Sequence, residues 1–190
     1  GTEHQSQPSE GLYKSTDGGL TWNQVLPNIG DSNTPYSPSD IEITSNGKIF
    51  VGTMKNLSGE GGAVILSSTL GELNSWSIYT EYQELIEDSN DNNIPGRVIL
   101  TSSQNNPNYI YAVIGAGFLN NMNFNLSYGS YIIKSINGGN SWTQVNIPTN
   151  EPNEWASLAW HAMTVSVHPN NPDIIFAGGL ELYRSNDGGL

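Results

Sequence analysis

The chain has 190 residues, a formal net charge of −12, six basic residues and no cysteine. So few cations argue against binding to nucleic acid, since that binding depends on Lys and Arg displacing counterions from phosphates, and against attachment to anionic lipid. Disulfides are excluded. Membrane insertion is not expected either, because no apolar run is long enough to span a bilayer. Abundant Asn, Ser, Gly and Thr in long loops is typical of a secreted or cell-surface protein.

Short strands of alternating apolar and polar residues follow one another along the whole chain. In chain order, the predicted strands are 12–15, 41–44, 49–52, 63–67, 98–101, 109–113, 131–135, 163–167, 173–178 and 182–185. Turns rich in Asn, Gly and Pro separate them, such as Asn46-Gly47 and Asn106-Pro107. The order recurs in units, and in all but the last a further strand that begins at a tryptophan follows. This organisation predicts an all-β fold built of four-stranded antiparallel blades.

One phrase follows the third strand of a unit in three copies, at residues 15–22, 135–142 and 185–190. Each copy has Ser, then Asp or Asn, then Gly-Gly, and the first two copies close on Trp. The Ser and Asp oxygens are expected to accept hydrogen bonds from nearby backbone N–H groups, and the second glycine to take a positive φ. An eroded copy at 68–76 keeps the Ser and Trp ends. The residues predicted to be structural are Ser15, Asp17, Gly19, Trp22, Ser135, Asn137, Gly139, Trp142, Ser185, Asp187 and Gly189.

These phrases match the Asp box, S-x-D-x-G-x-[ST]-W. The chain therefore resembles the Asp-box (BNR-repeat) β-propellers, which include sialidases, xyloglucanases and sortilin-type receptors. The resemblance implies one domain, an incomplete propeller of about two full and two partial blades, with blade boundaries near 1–27, 39–80, 97–146 and 162–190. It implies a segment of a larger secreted bacterial protein. The exposed blade edges would then be covered by the rest of the propeller or by a partner.

In this family, ligands bind on the face opposite the boxes. The long loops expected there are 3–11, 28–39, 54–62, 81–96, 115–129 and 147–161. The last of them carries Trp155, Trp160 and His161, which form the candidate ligand-binding set. Exposed aromatic rings on a polar loop suit stacking on sugars or anchoring a protein partner. The alternative is that both rings pack the loop against its blade and that His161 is a hydrogen-bonded loop residue.

The loop 81–96 is acidic and suggests a cation site. Asp88, Asn90 and Asn92 supply oxygens at positions 1, 3 and 5 of a calcium-binding pattern. Asn93 stands where that pattern has Gly, and Ile99 where it has a bidentate Glu. A solvated loop is therefore the alternative to calcium. No other cofactor is expected.

Asp40, Arg97 and Thr164 begin the innermost strands of three successive units, near the central channel that the fold implies. Asp40 is the candidate carboxylate for acid/base chemistry, and the alternatives are a turn or cap residue or an ion pair with Arg97. A glycoside hydrolase needs a second carboxylate at a fixed separation, which would lie outside this segment. In the related sialidases three arginines hold the sugar carboxylate, whereas this chain has two.

The sequence therefore favours a non-catalytic segment that presents its loops to a glycan or protein ligand. The alternative is a xyloglucanase- or sialidase-like glycoside hydrolase with part of its site elsewhere.

Overall fold

The structure is a computed structural model that describes residues 10–56, 60–85, 94–120, 123–156, 158–159 and 161–190. These residues form short strands, one 3₁₀-helix at Glu81–Leu85 and one helical turn at Pro152–Trp155, α1. The strands are β1 Tyr13–Lys14, β2 Asn23–Gln24, β3 Ser37–Ile43, β4 Ile49–Met54, β5 Ile65–Ser68, β6 Ser77–Tyr79, β7 Ile94–Ser102, β8 Ile110–Asn120, β9 Asn123–Ser135, β10 Thr143–Val145, β11 Thr164–Val167, β12 Ile175–Gly178 and β13 Leu182–Ser185. Neither helix in this described part has the length and apolar character needed to cross a membrane.

Strands that follow one another in sequence pair antiparallel and form four groups. We call β1–β2 blade 1, β3–β6 blade 2, β7–β10 blade 3 and β11–β13 blade 4. Blades 2 and 3 each have four strands, and they are joined at one further pair, Met54 with Arg97. The predicted fold class, an incomplete all-β propeller of four-stranded blades, is confirmed.

Side-chain alternation explains how the blades stack. Along the central strands of blade 3, Ile110, Ala112 and Ile114 lie in a buried cluster with residues of blade 2. The residues between them, Tyr111 and Val113, pack instead in a cluster with blade 4. A third cluster joins blades 1 and 2. Blades 2 and 3 thus bury apolar residues on both faces, which is why their central strands are rich in Val, Ile, Leu and aromatic residues.

The three repeated turns have the same geometry. In the first, Ser15 Oγ donates to Asp17 Oδ1 at 2.8 Å and accepts from Gly19 N at 2.8 Å. The second and third turns repeat the Ser-to-Gly bond, at 2.9 Å in both. Asn137 accepts from Ser141 N at 3.0 Å, as Asp17 accepts from Thr21 N at 2.9 Å. An amide oxygen therefore accepts the same backbone hydrogen bond as a carboxylate oxygen in this turn.

The eroded copy keeps its turn by other means. Ser68 Oγ accepts from Leu70 N and Gly71 N, and it lies 2.6 Å from the hydroxyl of Ser75. The tryptophan that ends this copy, Trp76, packs on blade 1 and donates from Nε1 to Val25 O at 2.6 Å. The loss of the acidic residue has therefore not removed the inter-blade contact.

The first turn should titrate at unusually low pH. Hydrogen bonds, chiefly from the Thr21 side chain and backbone, lower the pKa of Asp17 from 3.8 to about 2. A depressed folded-state pKa means that the ionised side chain stabilises the turn above pH 3.8, and that this contribution is lost as the pH falls towards 2. We expect carboxyl NMR to give a midpoint near 2 for Asp17. A midpoint near 3.8 would contradict the hydrogen-bonded turn, and Asp17→Asn should weaken the acid sensitivity.

Two predicted loops differ from expectation. Residues 115–129 were expected to form a loop, but β8 continues to Asn120 and β9 begins at Asn123, so most of this segment is a paired hairpin. The pairing of β8 with β9 does not stop at the Ala116–Gly129 pair. It resumes at Phe118 after a bulge. The loop 81–96 begins with the 3₁₀-helix and ends within β7, which starts at Ile94.

Candidate functional site

Asp40 lies on β3, the innermost strand of blade 2, and its carboxylate faces β7 of blade 3. It pairs with Gly52 across the sheet, and Oδ2 accepts from Leu100 N at 2.7 Å. The other oxygen, Oδ1, accepts from Ile41 N at 2.9 Å. Both oxygens therefore satisfy backbone donors, one of them on the next blade. This is the geometry of a capping residue, and acid/base chemistry by Asp40 stays a prediction.

Asp40 belongs to a row of contacts that seals the inner edge of blade 3. Ser39 Oγ donates to Val98 O at 2.7 Å, and Glu42 Oε1 accepts from Ser102 N at 3.0 Å and from the Ser102 hydroxyl. Burial raises the pKa of Glu42, against the effect of the Ser102 hydrogen bonds, and the nearby charge of Asp40 raises it further. We call this row the inner-edge seal.

The inner-edge seal continues from blade 3 to blade 4, again with the acceptor on the earlier blade and the donor on the later one. Val167 N, on β11, donates to the hydroxyl of Thr101 on β7 at 3.3 Å. Neither Glu42 nor Thr101 was predicted from the sequence to have a role. The available signal was the alternation of acidic and apolar residues from Asp40 to Ile43, which places both carboxylates on one face of β3.

Arg97 lies in the first half of β7, and its side chain binds the segment that follows α1. Its guanidinium donates from Nη1 to Ala159 O at 3.2 Å, and its Nε is buried without a hydrogen-bond partner. Desolvation lowers the pKa of Arg97, and the charge of Asp40 opposes that shift. The ion pair of Asp40 with Arg97, one of the alternatives from the sequence, is not among those that the described residues form. The charge of Asp40 still acts on Arg97, but the hydrogen bonds of the two side chains go to backbone groups.

We expect Asp40→Asn to destabilise the chain by about 1.5–3 kcal/mol, the cost of losing a charge-assisted hydrogen bond. An amide has one acceptor oxygen, so it leaves either Leu100 N or Ile41 N facing an NH₂ group. Urea unfolding measures the loss. Asp31→Asn, at an exposed carboxylate, is the matched control and should change stability by less than about 0.5 kcal/mol. Equal effects of the two substitutions would contradict the capping role.

Trp155 is not exposed as expected. Its side chain is 1% accessible, packs in the cluster between blades 3 and 4, and donates from Nε1 to Ser130 O at 3.1 Å. Gly179 lies so close to Trp155 O and the Cα of Ala156 that a side chain there would clash. A buried ring cannot stack on a ligand, so the alternative reading, in which this ring packs the loop against the blade, describes its position.

The remaining candidates from the sequence are His161, Trp160 and the proposed calcium ligands. His161 is exposed, and its backbone N–H donates to Leu158 O at 3.0 Å. Trp160 lies outside the described residues, as do Asp88, Asn90 and Asn92. Within the described ranges, no three His, Asp or Glu side chains are grouped so as to hold a metal ion. Calcium at 88–92 and ligand binding at Trp160 and His161 stay predictions.

The sequence matches no protein-family model and no curated protein. Two GH74 proteins are among the solved structures that resemble the fold. The GH74 enzyme of Niastella koreensis aligns with 96% of this chain at 20% identity and a TM-score of 0.62. The GH74 xyloglucanase of Xanthomonas campestris aligns with 93% at 15% identity and a TM-score of 0.57.

This chain spans about a quarter of the length of each of those proteins, 26% and 24%. At such identity the likeness concerns the backbone alone. Together with the antiparallel blades described above, it identifies the chain as a stretch of β-propeller.

Proposed function

We propose that this chain is a non-catalytic propeller segment of a secreted or cell-surface protein, and that its loop face binds a glycan or a protein. The observation that supports the proposal is that both carboxylate oxygens of Asp40 accept hydrogen bonds from backbone N–H groups, at 2.7 and 2.9 Å. A general acid or base must be free to exchange a proton with its substrate. A carboxylate that seals a blade edge is poorly suited to that role.

The proposed binding face is the one that carries the loops opposite the repeated turns. Its described part includes residues 28–36, the segment 158–162 without residue 160, and the end of β8 with the beginning of β9. Rigid blades hold these loops in fixed positions, an arrangement in which recognition is commonly placed on the loops rather than on the scaffold. Burial of Trp155 leaves Trp160 and His161 as the aromatic candidates from the sequence.

Native affinity electrophoresis tests the proposal. The protein is run through gels that contain plant, microbial or sialylated polysaccharide, and the gels are then stained for clearing. We expect retardation without clearing, unchanged in Asp40→Asn and lost in Trp160→Ala. Retardation that survives Trp160→Ala would move the site to other loops. No retardation on any gel would overturn the glycan form of the proposal and favour a protein ligand.

The second candidate is a glycoside hydrolase whose site lies partly outside this chain. It is favoured by the place of Asp40 on an innermost strand, within the electrostatic reach of Arg97. The two proteins described above as GH74 enzymes share this fold, which makes the hypothesis worth a direct test. Clearing of a polysaccharide gel that Asp40→Asn abolishes would replace the binding proposal with this one.

A further inference from the structure

A pocket of about 280 Å³ lies between blades 2 and 3, where the 3₁₀-helix that follows β6 meets the end of the second repeated turn. Its volume is just below the range of about 300–1,000 Å³ that is typical of small-molecule sites. The pocket therefore suits a ligand of one small ring. The residues that line it are Glu81, Tyr82, Leu85, Asn140, Ser141 and Trp142.

The pocket corresponds to a difference between two equivalent blade junctions. Four residues after the tryptophan of the first turn, Leu26 is fully buried and packs in the cluster that contains Trp76. Four residues after Trp76, the corresponding residue is Thr80, and it is exposed. The leucine that fills the junction of blades 1 and 2 thus has no buried counterpart at the junction of blades 2 and 3. The chain continues there into the 3₁₀-helix, which forms one wall of the pocket.

The indole N–H groups of the two junctions also differ. Trp76 Nε1 donates to Val25 O on the preceding blade at 2.6 Å. Trp142 Nε1 is buried and has no hydrogen-bond partner within the part of the chain that the structure describes. A buried donor that lacks an acceptor loses the hydrogen bond that water would have given it. A ligand that brings an acceptor to Trp142 would therefore restore what Val25 supplies to Trp76.

The 3₁₀-helix contributes both apolar surface and a negative charge to the pocket. The hydroxyl of Tyr82 donates to Ala63 O, so its ring serves as wall. Leu85 is 45% exposed. Glu81 is exposed, and its Oε2 accepts from Thr80 N at 3.2 Å, which helps to orient the carboxylate. The pocket thus combines aromatic and aliphatic walls with one carboxylate.

These groups select the chemistry of the ligand. An anion would be repelled by Glu81. A guanidinium or ammonium group would pair with Glu81, but it carries no acceptor for the indole N–H of Trp142. A hydroxyl both donates and accepts, so a ring that carries several hydroxyls satisfies both residues at once. Its C–H face is suited to packing on the aromatic and aliphatic walls.

We propose that this pocket binds one neutral sugar residue. One sugar hydroxyl accepts from Trp142 Nε1, another donates to Glu81, and the C–H face of the ring packs against Leu85 and the aromatic rings. The site uses a repeated turn and the 3₁₀-helix. It shares no residue with the loop candidates Trp160 and His161, and neither proposal depends on the other.

A titration of the 190-residue chain with methyl glycosides of glucose, galactose, mannose and xylose tests the proposal. Proton–nitrogen NMR follows the indole signals, and Trp142→Phe assigns the one that belongs to Trp142. We expect at least one neutral sugar to shift the Trp142 signal saturably and to leave the Trp76 signal in place. The corresponding uronic acid should bind at least tenfold more weakly. No shift with any neutral sugar, or a shift with ethylguanidinium alone, would overturn the proposal.

A matched pair of exposed carboxylates locates the sugar. Glu81→Ala should lower the affinity at least tenfold, whereas Glu84→Ala, on the same 3₁₀-helix but outside the pocket lining, should leave it unchanged. Glu81→Gln keeps a hydrogen-bonding group without the charge, so it should bind the neutral sugar and the uronic acid about equally. If Glu81→Ala and Glu84→Ala bind alike, the proposal fails.

A second pair tests the indole N–H. Trp142→Phe keeps an aromatic wall and removes the donor, and should weaken sugar binding at least fivefold. Trp76→Phe removes the equivalent donor from the filled junction and should leave sugar binding unchanged. Wild-type affinity in Trp142→Phe would contradict the proposed hydrogen bond, and the Glu81 variants still decide the matter if this variant does not fold. Loss of sugar binding in Trp160→Ala would place the sugar on the loop face and overturn the assignment to this pocket.

Discussion

Replacing Trp155 with alanine should be among the most damaging single changes in the chain. The ring is fully buried between blades 3 and 4 and its Nε1 donates to Ser130 O. Loss of a buried Trp costs about 3–5 kcal/mol because the cavity left behind closes only in part. For a chain of this size that corresponds to a fall in melting temperature of about 10 °C. Urea unfolding of wild type and Trp155→Ala measures it.

The matched control is Trp22→Ala. Trp22 is 59% exposed, and its Nε1 donates only to Gly19 O in its own turn. Its loss should cost less than about 1 kcal/mol, since little apolar area leaves a packed environment. If the two substitutions destabilise equally, Trp155 is not held as described. Ligand binding by Trp155, as predicted from the sequence, would then be the better explanation.

Replacing Gly139 with alanine should be nearly as damaging, for a different reason. Gly139 has a φ of +83°, and a Cβ there would lie 2.5 Å from the buried ring of Phe50 on blade 2. An L-residue at positive φ costs about 1–2 kcal/mol, and overpacking a core adds about 1–3 kcal/mol. We therefore expect a loss of about 2–5 kcal/mol by urea unfolding.

Gly47→Ala separates the two costs. Gly47 has a φ of +84°, and a Cβ there would meet nothing within 4 Å. This substitution carries the backbone strain without the clash and should cost about 1–2 kcal/mol. The difference between the two variants measures how tightly the second repeated turn is pressed against blade 2. A difference near zero would mean that the Phe50 ring moves aside freely.

The fold was predictable because its signals are local and repeated. The turn residues Ser15, Asp17 and Gly19 bond one another within five positions, so their pattern survives in the sequence. The strands between the turns have period-two alternation of apolar and polar residues. Nothing beyond neighbouring residues is needed to recognise either feature.

The candidate site was less predictable because its contacts join distant residues. Asp40 meets Leu100 sixty positions away, and Trp155 meets Ser130 across a blade boundary. A polar neighbourhood in sequence made Trp155 look exposed. The hairpin β8–β9 was missed because its glycines and asparagines are typical of loops, while its pairing depends on register across two strands.

The inner-edge seal limits how these blades could be rearranged. Blade 2 supplies acceptors to donors on blade 3, and blade 3 supplies an acceptor to a donor on blade 4. The repeated turns make the blades look interchangeable, yet the seal exists in one order only. Exchanging blades 2 and 3, or inserting another blade between them, would leave Leu100 N and Ser102 N without their acceptors. Recombination of whole repeats in this stretch would therefore have to transfer the innermost strands of two neighbouring blades together.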